Sequence, residues 1–241
     1  MEIINDIVGY NELKIIQNKN YFNFSLESVL LPNFVNITKK DKKVIDLGTG
    51  NAPIPLILDY LYDNLEIYGV ELQKEIYDLA IKSLDINKKS DKIKIINEDI
   101  KNLKNIFSQE SFDIVITNPP YFKKREKKQQ NENNIKSVAR HEIEINIDEL
   151  TKISSYLLKN KGKFYLVHRT ERFVEIVNIL KKYKLEPKKV QFIYPKENCE
   201  SNLFMLEAVK NAGNGLKVLK PLIIHDKNGE YKLEIKKIFN R

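Results

Sequence analysis

Asn118-Pro119-Pro120-Tyr121 stands directly after the apolar run FDIVIT. Two prolines cannot continue a sheet, and they stiffen the loop they occupy. This fixes an amide and an aromatic ring at the carboxyl end of a strand, where open α/β sheets bind ligands. Such a corner suits the activation of an amino nitrogen on a base such as adenine, a poor nucleophile because its lone pair is delocalised into the ring. The Asn118 side-chain oxygen and the Pro119 carbonyl can accept the two amino hydrogens and favour a tetrahedral nitrogen. Tyr121 can stack on the base, a contact worth roughly 1–3 kcal/mol in single-strand binding. No strong general base is required, since the nitrogen becomes acidic as it gains positive charge. Orientation then supplies most of the acceleration, up to roughly 7–11 kcal/mol.

The other half of the chemistry is read from Asp46-Leu47-Gly48-Thr49-Gly50-Asn51, a glycine-rich turn between a buried strand and a helix. Gly48 and Gly50 let a ligand approach the backbone where a Cβ would block it. A dinucleotide-binding turn would carry a third glycine where Pro53 stands, so NAD is disfavoured. A carboxylate at Asp46 suits a ligand with a cationic amino-acid end, such as the methionine moiety of S-adenosyl-L-methionine. Glu71 lies 25 positions further on, at the end of the next strand, where doubly wound folds place the acceptor for ribose hydroxyls. Asp99, in NEDI after the third strand, is placed to accept from an adenine amine, with Ile100 against the ring. Each carboxylate alone reads more readily as a solvated loop residue; three at successive strand ends converge on one nucleoside.

These residues need an α/β scaffold, and the apolar pattern supplies one. Strands are expected at Lys43–Leu47, Glu66–Glu71, Lys92–Asn97, Phe112–Thr117, Lys163–His168, Val190–Tyr194 and Leu203–Val209. Helical periodicity covers Pro53–Tyr62, Gln73–Asn87, Ile147–Lys159 and Glu171–Tyr183, with a shorter helix at Lys101–Phe107. The reading is a Rossmann-like, seven-stranded, mostly parallel sheet with helices on both faces. Pro195–Asn202 is too short for a helical crossover, so the last two strands should form an antiparallel hairpin at the sheet edge. The expected organisation is an N-terminal cap segment (1–42), a Rossmann-like domain (43–210) and a C-terminal extension packed on it (211–241). Within the cap, Ile15–Leu31 holds apolar and aromatic residues around Ser25, Glu27 and Ser28. Within the extension, a strand, a turn at Asp226–Gly229 and a short helix are expected.

Composition narrows the partners. The 241 residues are 42% apolar and 31% charged, as in soluble globular chains. No apolar run approaches the roughly 20 residues of a membrane span, and the N-terminus lacks a secretory pattern, so a cytoplasmic protein is expected, with no membrane partner. One cysteine, Cys199, cannot form an internal disulfide, and no Cys/His cluster has metal-ligand spacing, so no metal is expected. A net charge of +8 suits a polyanion, although lysine is abundant along the whole chain.

The set DLGTGN, GVEL, NEDI and NPPYF resembles the amino-directed methyltransferases of the Rossmann-like type. IIQ…FSLESVLL, ARHE, VHR, EPKKVQFIYPK and PLIIHDKNGEY resemble, more specifically, the bacterial tRNA1(Val) (adenine-37) amino-methyltransferase family, over about Leu13 to Tyr231. The resemblance implies S-adenosyl-L-methionine as cofactor, with contacts by Asp46, Gly48, Gly50, Glu71, Asp99, Ile100 and Asn118. It implies a catalytic loop at Asn118, Pro119, Pro120 and Tyr121, and a tRNA substrate methylated at the adenine 3′ of the anticodon. Glu27 stands where related sequences carry Asp, which keeps the charge and lengthens the side chain. NPPY also occurs in protein-glutamine methyltransferases, but those carry a helical N-terminal domain, and 42 residues precede the first strand here.

RNA contacts are assigned to the segment after the tetrapeptide: Phe122, Lys123, Lys124, Arg125, Lys127 and Lys128, with Arg140 and His141 at its far end. A solvated loop is the plain alternative. His168 reads as a satisfied strand-end histidine and His225 as ordinary surface. Lys217, Lys220, Lys232, Lys236 and Lys237 either extend the RNA surface or are solvated. Action on ribosomal RNA, DNA or a protein glutamine stays open, as does a cofactor-binding RNA module without turnover. A monomer is the working expectation.

Overall fold

A computed structural model of the chain describes residues 2–18, 25–120 and 146–239. Its first segment is a hairpin of β1 (Glu2–Ile7) and β2 (Tyr10–Asn18), turning at Gly9 with φ +86°. Alternation drives it: Leu13, Ile15 and Gln17 face inward while Glu12 is exposed. The free edge of β2 is closed by side chains. Lys14 N–H donates to Asn87 Oδ1 (2.9 Å), Ile16 N–H to Ser83 Oγ (3.0 Å), and Asn51 Nδ2 donates to the Ile16 carbonyl (2.8 Å). Helix α1 (Leu26–Phe34) follows, with Val29, Leu30 and Leu31 buried.

Seven strands build the main sheet: β3 (Lys43–Leu47), β4 (Glu66–Glu71), β5 (Ile93–Asn97), β6 (Phe112–Thr117), β7 (Leu158–Arg169), β8 (Leu185–Tyr194) and β9 (Leu203–Lys210). Two-residue strands β10 (Lys217–Val218) and β11 (Leu222–Ile223) add parallel to β8. The order is β5-β4-β3-β6-β7-β9-β8-β10, parallel apart from β9, which is antiparallel to both β7 and β8. The expected hairpin therefore forms, with β9 inserted between β7 and β8.

Helices cover both faces, and the strands show it residue by residue. Val44, Ile114, Ile116, Tyr165 and Val167 join one core with α1, α2 (Pro53–Leu61), the hairpin and Ile235 of the C-terminal helix. Their neighbours Ile45, Val115, Phe164 and Leu166 join a second core with α4 (Ile147–Leu157) and α5 (Phe173–Lys182). Helix α3 (Lys74–Ile86) contributes Ala80 and Leu84 to the first. The chain finishes in α6 (Leu233–Phe239) after a turn in which Asp226 Oδ1 accepts from the backbone of Asn228 (2.9 Å) and Glu230 (3.0 Å). The tip of the first hairpin packs on α6: a Cβ on Gly9 would lie 2.5 Å from Phe239 Cα.

Several boundaries differ from expectation. Strands β1 and β2 were not anticipated. Helix α4 stops at Leu157 because Leu158 turns to extended backbone (ψ 134°), and β7 starts there, with the left-handed Lys161 (φ +64°) inside it and its register on β6 shifted between Phe112 and Ile114. Strand β8 begins at Leu185 and tolerates Pro187 because the register shifts between Pro187 and Lys189. No helix among the described residues is long and apolar enough to cross a membrane.

Candidate active site

All five parallel strands β3 to β7 end at one edge of the sheet, which brings Asp46, Glu71, Asp99 and Asn118 to a common rim. Asp46 is the most enclosed, at 1% exposure. Its Oδ2 accepts from Thr49 Oγ1 at 2.7 Å, and its Oδ1 is buried with no protein partner. Burial pushes its carboxyl up to about 7; the Glu71 charge adds to this, while the Thr49 hydrogen bond opposes it. A buried acceptor left without a donor costs free energy. The site is thus formed for a cationic or hydrogen-donating group.

The turn after Asp46 is held in an unusual backbone. Gly48 (φ +75°), Gly50 (φ +59°) and Ala52 (φ +71°) are all left-handed, and Ala52 pays for this with strain of order 1–2 kcal/mol. Gly48 and Thr49 N–H both donate to the Val70 carbonyl at 2.9 Å, and Gly50 N–H donates to Glu71 Oε2 at 3.0 Å. A Cβ on Gly50 would meet nothing within 4 Å, so the turn faces open space that a ligand can fill.

Glu71 is also buried, at 7% exposure. Burial raises its carboxyl, against the lowering effect of N–H donors from Gln73 and Gly50. Each of its oxygens already accepts one backbone hydrogen bond, from Gly50 and Gln73 at 3.0 Å, and retains a second lone pair for ligand hydroxyls. Asp99 caps the 3-10 turn Ile100–Asn105, its Oδ1 accepting from Lys101 N–H at 2.9 Å. Ile100 is buried beside it at 7% exposure, whereas Leu72, directly after Glu71, stands 46% exposed at the rim.

On the acceptor side, Thr117 Oγ1 donates to the Leu47 carbonyl at 2.9 Å, pinning the end of β6 to β3. The next residue, Asn118, donates from Nδ2 to Ser28 Oγ of α1 at 3.1 Å. Pro119 is buried and Pro120 half-buried. Tyr121, Phe122, Lys123, Lys124, Arg125, Lys127, Lys128, Arg140 and His141 lie outside the described residues.

Reading the sequence alone passed over Thr49, Asn51, Leu72 and Asn97 as contributors to this rim. Asn97 Nδ2 donates to the carbonyls of Glu71 (2.9 Å) and Leu72 (3.0 Å), and Asn51 ties the turn to β2. Thr49 and Asn51 were visible inside the glycine motif; Leu72 was visible as an apolar residue following Glu71. His168, buried at 1% exposure, accepts at Nδ1 from Arg169 N–H (2.8 Å). Burial, then the Arg172 charge, holds it down at about 4, so it is neutral and structural. His225 is not ordinary surface: it is half-buried and stacked on Tyr231, with ring centroids 4.9 Å apart. Among the C-terminal lysines, Lys232 pairs with Glu197 and Lys236 with Glu230, while Lys217, Lys220 and Lys237 are exposed. Cys199 is exposed.

The chain is similar to known proteins over most of its length. A tRNA1(Val) (adenine(37)-N6)-methyltransferase from Aliivibrio salmonicida is 25% identical over 205 residues, covering 85% of this chain and 84% of the relative. One of the same name from Cytophaga hutchinsonii is 24% identical over 188 residues, covering 78% and 77%. A solved structure from Agrobacterium tumefaciens, described as a predicted O-methyltransferase, superposes with a TM-score of 0.72 at 18% identity, covering 88% of this chain and 95% of that one. The model of the methyltransferase small domain matches residues 27–186, from the first turn of α1 to β8, and the chain belongs to that family.

Proposed function

We propose that this protein transfers a methyl group from S-adenosyl-L-methionine to the exocyclic amino nitrogen of adenine 37 in tRNA, the base 3′ of the anticodon. The observation that carries the reading is the placement of Asn118 at the same sheet edge as the buried, half-satisfied Asp46 and as Gly50, which borders open space. The names of the curated relatives support tRNA1(Val) as the substrate. Bound S-adenosyl-L-methionine supplies an electrophilic methyl group on a sulfonium sulfur. Asp46 Oδ1 accepts from the donor's ammonium group, and the Gly48–Gly50 turn admits its amino-acid end. Glu71 accepts from the ribose hydroxyls. Asp99 accepts from the adenine amine, and Ile100 packs on that ring.

The second base is handled by the corner after β6. Asn118 Oδ1 and the Pro119 carbonyl accept the amino hydrogens, Pro120 stiffens the corner and Tyr121 stacks on the base. The base must first leave its stack, at a cost of a few kcal/mol, less in a loop than in a duplex. Cationic side chains beyond Tyr121 offset that cost through phosphate contacts. The protein works in the cytoplasm, where its substrate is.

Transfer of radiolabelled methyl to total tRNA, ribosomal RNA, DNA and release factors tests the substrate. Label is expected in tRNA, and nucleoside analysis of tRNA from cells lacking the gene should show loss of one methylated adenosine beside the anticodon. Label confined to protein overturns the reading. A second expectation concerns the loop: Lys123, Lys124, Arg125, Lys127 and Lys128 replaced together by Ser should weaken tRNA binding and flatten its salt dependence, with cofactor affinity unchanged. Wild-type tRNA affinity in the variant, at low and at high salt alike, would count against these residues as phosphate contacts.

A further inference from the structure

We infer that Ser28 is a positioning residue for the Asn118 amide, so that helix α1, which precedes the first strand of the main sheet, sets the geometry of the acceptor side. This rests on the role given to Asn118 above. A planar amide has a donor end and an acceptor end, and only the oxygen can receive a hydrogen from an amino group. Rotation about the Asn118 side chain would turn Nδ2 toward the base, where donor meets donor. The hydrogen bond from Nδ2 to Ser28 Oγ, 3.1 Å long, engages the donor end and leaves the oxygen at the opposite end of the amide.

The anchor is stiff. Ser28 is 6% exposed, so water competes poorly for the bond. It sits in the first turn of α1, its N–H donating to the Ser25 carbonyl at 3.0 Å. The next three residues, Val29, Leu30 and Leu31, are at most 2% exposed and belong to the core shared with α2 and the hairpin. Also from α1, Asn33 Nδ2 donates to the Val29 carbonyl (2.8 Å) and to Tyr10 Oη of β2 (2.8 Å). The helix is therefore tied to the hairpin and cannot shift without breaking buried contacts. At the other end, Thr117 pins the β6 terminus to β3. Asn118 is gripped from its backbone side by the sheet and from its side chain by α1, and the diproline removes the remaining freedom of the loop.

Ser28→Ala deletes one oxygen and leaves the apolar anchors intact. The expected result is a kcat for tRNA methylation about 10–100-fold lower, the scale on which misplacing a reacting group by an ångström costs rate. KM for tRNA, cofactor Kd and Tm should stay at wild-type values, and Ser28→Thr, which keeps the hydroxyl, should recover kcat. Combining Ser28→Ala with Asn118→Ala should be no worse than Asn118→Ala alone. Independently of any substrate, the Asn118 side-chain amide hydrogens, assigned by NMR, should exchange with solvent faster in Ser28→Ala. Wild-type kcat in Ser28→Ala, multiplicative losses in the double variant, or unchanged amide exchange overturns the inference. Absence of transfer to tRNA by the wild-type protein overturns the proposed function instead, and the exchange measurement still decides the Ser28–Asn118 pair.

Discussion

Asn118→Ala should reduce methyl transfer to tRNA by on the order of 10²–10³-fold, the loss typical when one preorganised dipole aimed at developing charge is removed. Binding of the cofactor, measured by calorimetry, should be largely retained, because the Asp46 and Glu71 carboxylates are held by Thr49 and by the Gly50 N–H and not by the Asn118 side chain. The two readouts separate because nitrogen gains positive charge only as the methyl group moves, so the amide oxygen contributes most in the transition state. Near-normal turnover in the variant would remove Asn118 from the mechanism. Loss of both turnover and cofactor affinity would mean that the corner after β6 supports the donor side as well.

The second large effect is expected at Asp46. Burial first, then the Glu71 charge, moves its pKa from 3.8 to about 7 in the fold. Below about pH 4 the group is protonated in both folded and unfolded protein and costs nothing. As pH rises from there towards 7, the unfolded chain ionises while the folded one does not, so ligand-free stability falls; above about 7 the loss is constant. At about 1.4 kcal/mol per pH unit the full loss is roughly 4 kcal/mol. Asp46→Asn should abolish that part of the pH dependence and raise the ligand-free Tm at pH 8. It should also weaken cofactor binding by at least about 30-fold, the lower range for removing one partner of a buried charge pair. In the wild type, binding at pH 6 should release a proton, detectable as a dependence of calorimetric heat on buffer. A variant with wild-type affinity, or with an unchanged Tm-against-pH curve, would sink the assignment.

What could be read from the chain follows from which interactions are local. Periodicity located all seven main strands because each alternates between two apolar faces, as Ile114, Val115 and Ile116 do. The rim carboxylates were legible because strand ends and glycine turns lie within a few residues of them. The Ser28–Asn118 bond spans 90 positions, and no local pattern marks Ser28 as its partner. Strands β1 and β2 escaped because EIINDI mixes its apolar residues with polar ones, although Val8-Gly9 between two alternating runs is a turn signal. The stack of His225 on Tyr231 depends on a turn closing between them. Element ends drifted at Lys161 and Pro187, where left-handed backbone and a register shift override the apolar pattern.

The close fit of Gly9 against Phe239 joins a turn made early in synthesis to a residue made 230 positions later. On the ribosome, β1 and β2 can find α3 as soon as that helix emerges, but the seam at Gly9 stays open until α6 has been made. The nascent chain exposes the apolar side of that seam until α6 emerges, an interval in which holding chaperones act.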